Sequence, residues 1–239
     1  MLIVTKKINW RSDYSGIDSL ESCLDRQHFL NYSKKITYEY NSKGFRDHEW
    51  PEDLSDAVWC VGDSFTVGLG QPYEETWPQI LQKKIGKRCL NLGEDSCSND
   101  TICSRVNEIS KLYQPKLIVV MWSYMHRRRV DNLDVHFDKN DFGLKNDIKN
   151  FLKNLNNLRK CTVKIIHTII PKSLPENVLP ENEEDTFDYI LKKNNYPKSL
   201  IKFQQLDYAR DYHHFDIDTS LHLCDLILNE INNFDKISK

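Results

Sequence analysis

The chain has 239 residues, 39% of them hydrophobic and 28% charged, and a formal net charge of −2. That length suits one large domain or two small ones, and the mixed composition supports a buried core, which excludes a disordered or fibrous chain. The near-balanced charge removes any overall electrostatic pull toward nucleic acid or an anionic membrane.

Read from the N-terminus, Met1 to Val4 is too short an apolar stretch for a secretory signal (~7–15 residues) or a membrane span (about 20), and no longer one follows. A cytoplasmic protein without membrane association is expected. Residues 1 to about 55 show no strong periodicity except an expected strand at Ile36 to Tyr40. They read as an N-terminal extension packed on a domain formed by residues 56–239. Ala57 to Val61 is a short buried strand ended by Gly62-Asp63. Pro78 to Ile85 has helical spacing, with Thr76 as its cap. Arg88 to Leu92 is a second strand, Asp100 to Tyr113 a helix, and Lys116 to Trp122 the clearest strand. Asp141 to Leu158 is helical, and Thr162 to Ile170 is a strand stopped by Pro171. Residues 171–200, rich in Pro, Asn and Glu, form an excursion with one short helix near Phe187 to Leu191. Thr219 to Phe234 closes the chain as a helix. Strand–helix alternation with continuously apolar strands indicates an α/β fold with a mostly parallel sheet covered on both faces. The seven cysteines are odd in number and never spaced Cys-x-x-Cys, which argues against a disulfide framework or a zinc module.

In such sheets the chemistry gathers beyond the carboxyl ends of the strands. Ser64, in Gly62-Asp63-Ser64-Phe65, lies at a strand-to-helix turn, where helix amides face developing negative charge. A serine nucleophile also needs a base and a group to orient that base. Asp211-Tyr212-His213-His214 supplies both, since an Asp three residues before a His can reach its imidazole. Taken singly, each half also reads as a polar loop. His214, Asp216, Asp218 and His222 crowd nine residues with metal-ligand chemistry. A helix capped at Asp218 or Thr219 leaves His222 on an exposed side, so no metal and no cofactor is expected.

Three blocks in order carry a resemblance to the SGNH/GDSL hydrolase family. Gly62-Asp63-Ser64-Phe65-Thr66 with Val67-Gly68-Leu69-Gly70 looks like the first block, and Asn91-Leu92-Gly93 with Ser98-Asn99 is similar to the second. Asp211-x-x-His214 before a helix looks like the last. Glu74 to Pro78 and Tyr40 to Arg46 also resemble bacterial and phage members, so the likeness spans roughly residues 36–233. It implies a three-layer α/β/α sandwich with a flavodoxin-like sheet. It also implies a Ser64–His214–Asp211 triad and an oxyanion hole of backbone N–H groups from Ser64 and Gly93.

One block departs from the pattern. After the third strand the family places Gly-x-Asn-Asp, whose Asn donates to the oxyanion, whereas this strand runs Met121-Trp122-Ser123-Tyr124-Met125-His126. Three explanations stand: Ser123, Tyr124 or His126 donates instead; Asn99 takes the task; or the protein is a weak or inactive esterase. Asp63, Tyr124, His126 and Arg127 are the candidate substrate contacts. Arg127-Arg128-Arg129 reads either as a solvated charge run or as a contact for an anionic substrate group. The expected activity is hydrolysis of a short acyl ester, such as an O-acetyl group on a glycan. The alternatives are acyl transfer to an alcohol and a non-catalytic binding or structural protein that keeps the fold.

Overall fold

The computed structural model describes residues 14–131, 133–136, 144–158, 161–171 and 200–237. In chain order these form α1 (Arg26–Asn31), β1 (Val58–Gly62), α2 (Ser64–Val67), α3 (Trp77–Ile85), β2 (Cys89–Gly93), α4 (Asn99–Leu112) and β3 (Leu117–Trp122). There follow β4 (Arg127–Val130), β5 (Leu133–His136), α5 (Leu144–Leu158), β6 (Lys164–Ile169), β7 (Leu200–Ile201) and α6 (Ile217–Ile237).

The main sheet has the order β2-β1-β3-β6-β7, and every pairing in it is parallel. Every residue of β1, β2 and β3 is buried, as continuously apolar strands covered on both faces require. Helix α3 packs with α6 and α4 with α5, so the sheet is the middle layer of a three-layer α/β/α sandwich. Trp59, Trp77, Trp122 and Ile118 are among the largest side chains wholly removed from solvent. The chain runs from β1 to β2 on one side of β1 and then returns to β3 on the other. That reversal makes the carboxyl ends of β1 and β3 the switch point where sheets of this kind hold their sites, and Ser64 follows directly after β1.

Helix ends explain where the elements stop. The Asp63 side chain caps α2 by accepting from Phe65 N–H, and Gly68 ends it in the left-handed region, at φ 75°. Ser98 caps α4 through Thr101 N–H.

Several expectations need correction. No strand forms at Ile36 to Tyr40; the Tyr38 phenol is instead held between Asp18 Oδ2 (2.6 Å) and the Gly70 N–H (2.8 Å). Thr76 sits at the cap position of α3, but its hydroxyl donates to the Tyr73 carbonyl and leaves the helix amides uncapped. The terminal helix begins at Ile217, ahead of Thr219, and its cap is Asp207. That carboxylate accepts from the N–H groups of Asp216 (3.0 Å), Asp218 (2.7 Å) and Thr219 (3.3 Å). The Arg127–Arg129 run forms β4 of an antiparallel hairpin, with Arg127 opposite His136 and Arg129 opposite Asp134. The helix expected near Phe187 lies outside the described residues.

Residues 14–46 reach the loops at the carboxyl end of the sheet, while Asp47, Trp50 and Leu54 contact Arg88, Trp59 and Ala57 near the strands' starts. The buried Arg46 guanidinium donates to the carbonyls of Thr37 (2.8 Å), Gln71 (2.9 Å) and Gly68, tying the first segment to the loop after α2. Tyr14 donates to Asp95 beyond β2. Arg210 Nη2 donates to Asp18 (2.7 Å), and Leu24 N–H donates to the Asp211 carbonyl (3.0 Å). The segment thus bridges the two loops that flank Ser64.

Candidate active site

Ser64 opens α2, so its N–H lies in a first turn that offers no acceptor within the helix. Its Oγ is 2.8 Å from His214 Nε2, and His214 Nδ1 is 2.6 Å from Asp211 Oδ2. With Nδ1–H donating to Asp211, Nε2 is left as the acceptor for the Ser64 hydroxyl hydrogen bond. Asp211 Oδ1 accepts from the N–H groups of His213 (2.9 Å) and His214 (3.0 Å), which fixes the carboxylate within its own turn. That turn is sharp because Tyr212 adopts φ 59°, a left-handed backbone uncommon for an aromatic residue. Ala209 N–H closes the loop on the His214 carbonyl (2.8 Å). Phe65 packs edge-on against the His214 ring at 4.6 Å between centroids.

Burial and charge compete at the imidazole. Desolvation is the largest influence on His214 and disfavours its charged form. Asp211, followed by Asp95 and Asp63, outweighs it and raises the pKa above the ordinary value. For Asp211, burial is again the largest influence and pushes upward, but the His214 charge and three hydrogen bonds hold the carboxyl below its ordinary value. The pair is therefore poised as an imidazole that gains a proton readily beside a carboxylate that stays ionised.

Two of the expected oxyanion donors are committed elsewhere. The Gly93 N–H donates to Asn91 Oδ1 at 2.9 Å, and Asn91 Nδ2 donates to the Thr66 carbonyl at 2.8 Å. Gly93 is instead a point of close approach, since a Cβ there would sit 2.3 Å from Val67 N. The Asn99 amide grips the loop after β3: Oδ1 accepts from Ser123 N–H (2.8 Å) and Nδ2 donates to the Ser123 carbonyl (3.2 Å). The single Gly93 N–H could serve an oxyanion only by giving up its bond to Asn91, while Asn99 Nδ2 also lies 3.5 Å from the Tyr124 carbonyl. The loop after β2 carries strain at Ser96, where φ is 60°.

The expected substrate contacts divide in two. Asp63 is fully buried, and Arg127 is only 8% exposed. They are 2.9 Å apart and bonded to each other, while Arg128 pairs with Asp147. Arg127 and Arg128 are thus engaged by internal carboxylates, and the Arg129 N–H donates to Asp100 Oδ2 at 3.2 Å. Tyr124 and His126 lie together beside the Ser123 turn, rings 5.3 Å apart, with the Arg127 guanidinium over Tyr124 at 4.8 Å. Burial, joined by Asp63, pushes the Tyr124 hydroxyl up to about 12. Of the residues once weighed as metal ligands, His214 is bonded to Ser64 and Asp211, Asp216 accepts from Tyr32 (2.7 Å), and His222 is exposed.

The Asp63–Ser123–Arg127 cluster and the Asp207 cap were missed in the sequence. The cluster's partners are 60 and 64 positions apart, and the cap acts across 9 to 12. The only local signal was a serine where the family carries a different residue.

The architecture and the site define a class: a doubly wound α/β protein with a Ser–His–Asp array at its topological switch point. The fold is that of the SGNH/GDSL hydrolases. Among solved structures, the chain is similar to a carbohydrate esterase family 2 enzyme with a carbohydrate-binding domain from Corynascus thermopiles (Myceliophthora fergusii). That match has 12% identity and a TM-score of 0.52, covering 77% of this chain and 67% of that one. It is also similar to TesA, with 17% identity and a TM-score of 0.51, covering 73% of this chain and 97% of that one. At these identities the likeness is one of fold. No family model and no curated protein matches the chain.

Proposed function

We propose that this protein is a serine esterase in which Ser64 is the nucleophile, His214 the general base and Asp211 the group that orients His214. What supports the reading is the unbroken chain of contacts from Ser64 Oγ to His214 Nε2 (2.8 Å) and from His214 Nδ1 to Asp211 Oδ2 (2.6 Å). His214 takes the hydroxyl proton as Ser64 attacks the ester carbonyl, and the Ser64 N–H steadies the oxyanion. His214 then returns the proton to the departing alcohol. Water, activated by the same imidazole, hydrolyses the acyl-enzyme and releases the acid. The substrate we favour is a short acyl ester, an O-acetyl group on a glycan; the carbohydrate-esterase neighbour directs that choice.

A second reading has its own observation. With the Gly93 and Asn99 donors committed and no third-block Asn, the chain suits a catalytically weak protein that keeps the fold. Hydrolysis of p-nitrophenyl acetate and of acetylated xylan separates the two. The esterase reading predicts turnover that falls roughly 10⁴-fold or more in Ser64→Ala and in His214→Ala. Equal rates in the wild type and Ser64→Ala overturn it.

A further inference from the structure

Beneath the Ser64 turn lies a cluster that the proposed reaction does not use directly. Asp63 has no exposed surface. Its Oδ1 accepts from Phe65 N–H (3.1 Å), and its Oδ2 accepts from the Ser123 hydroxyl (2.5 Å) and from Arg127 Nη1 (2.9 Å). Arg127 Nη1 also donates to Ser123 Oγ at 2.9 Å. The guanidinium side chain is 7% exposed, so water screens this pair little.

A carboxylate at the head of α2 has two opposed effects. It satisfies an N–H of the first turn and fixes the turn that carries Ser64. Left uncompensated, the same charge repels an anion developing at Ser64 and draws a proton onto His214. A guanidinium in contact with it keeps the first effect and weakens the second.

We propose that Arg127 is a positioning residue for Ser64: with Ser123 it fixes the Asp63 carboxylate that caps the Ser64 turn and offsets part of its charge. The turn then keeps its geometry without presenting a bare negative charge to the reacting atoms. This rests on the reading of Ser64 as nucleophile. Where the resemblance expects a side chain that touches the oxyanion, this chain holds a pair that acts from behind the nucleophile. Among the described residues, His214 is bonded to Asp211 and Ser64 and packs on the His213 ring, and the further carboxylates that raise its pKa are Asp95 from the loop after β2 and Asp63 from the turn after β1. Of these carboxylates, Arg127 contacts Asp63.

The test titrates the His214 imidazole by NMR and measures kcat and KM on p-nitrophenyl acetate. The proteins are the wild type, Arg127→Gln, Arg127→Lys, Asp63→Asn and the Arg127→Gln/Asp63→Asn double variant. Arg127→Gln moves the His214 midpoint to higher pH. It lowers kcat roughly tenfold with little change in KM, a smaller loss than the ~10²–10³ of a direct oxyanion donor. Arg127→Lys restores most of the midpoint, and the double variant, with both charges gone, returns it toward the wild-type value. An unmoved midpoint in Arg127→Gln, or a double variant that keeps the full shift, overturns the proposal. Should Arg127→Gln fail to fold, Asp63→Asn decides the same question: it leaves the guanidinium unopposed and moves the His214 midpoint to lower pH, and an unmoved midpoint there overturns the proposal. Absence of any wild-type turnover defeats the esterase reading alone, because the imidazole titration needs no activity.

Discussion

At the scale of single residues, two buried histidines respond to pH in opposite senses. The His214 pKa is raised, and a general base acts as the neutral imidazole. The kcat/KM profile should therefore rise with pH through a midpoint above the ordinary histidine value of about 6.5 and then level off. Asp211→Asn should lower that midpoint and reduce kcat/KM by about 10²–10⁴. A profile with a midpoint below the ordinary value contradicts the assignment. For stability, a raised histidine pKa is an asset at low pH that fades as pH climbs through the folded value. The depressed Asp211 carboxyl is an asset at high pH that fades as pH falls through its folded value. His167 differs, because burial alone lowers its pKa to about 3, and its Nδ1 accepts from Trp122 Nε1 at 3.1 Å. Between about pH 6.5 and 3 the unfolded chain binds a proton that the native imidazole refuses, so stability drains as pH falls across that window. His167→Gln, which keeps an acceptor but cannot titrate, should flatten that slope in urea melts run from pH 7 to pH 4. An unchanged slope counts against His167 as the source.

At the scale of elements, the junction of β2 with α2 and the head of α6 are the places where one residue sets an element's position. Gly93→Ala would drive a Cβ into the Val67 N (2.3 Å) and Thr66 C (2.7 Å) of α2, backbone atoms that cannot swing aside. The expected cost is about 1–3 kcal/mol of stability together with lost esterase activity, as α2 shifts with Ser64 on it. Full activity in a stably folded Gly93→Ala would contradict that geometry. Asp207→Ala removes a cap from two amides of α6 and from the Asp216 N–H just before it, and should cost about 1–2 kcal/mol in denaturant melts, with a smaller effect on kcat. Sequence reading succeeded where an element is long and apolar: β1, β3, β6 and α4 lie within a few residues of their expected bounds. It failed where contact partners outweigh local pattern. Arg127 to Arg129 reads as either a solvated run or an anion contact, yet Arg127 and Arg128 find Asp63 and Asp147, and the backbone pairs with Leu133–His136. Ile36 to Tyr40 reads as a strand, but its tyrosines are held by side-chain and loop partners.

At the scale of the whole molecule, the α/β/α order was legible because parallel strands announce themselves as unbroken apolar runs separated by amphipathic stretches. The closeness of Ser64, Asp211 and His214 was legible from the order of their motifs. What covers and braces them was not. Residues 14–55 lack periodicity because they are ordered by single polar contacts, such as Arg46 on the carbonyls of Gly68 and Gln71 and Arg210 on Asp18. Since Leu24 and Asp18 grip the Asp211 loop while Arg46 grips the loop after α2, removal of residues 1–55 should lower Tm and abolish activity together. A truncated chain with wild-type Tm and kcat would show that the bracing is dispensable. Among the described residues no helix is long and apolar enough to cross a membrane.

The central claim is that Ser64 is a nucleophile activated by His214. Mass spectrometry after reaction with a fluorophosphonate tests it most directly, since the adduct can be mapped to a peptide. One phosphonyl group is expected on Ser64 in the wild type, with slow labelling in His214→Ala and none in Ser64→Ala. An unlabelled wild type, or an adduct that persists in Ser64→Ala, would contradict it.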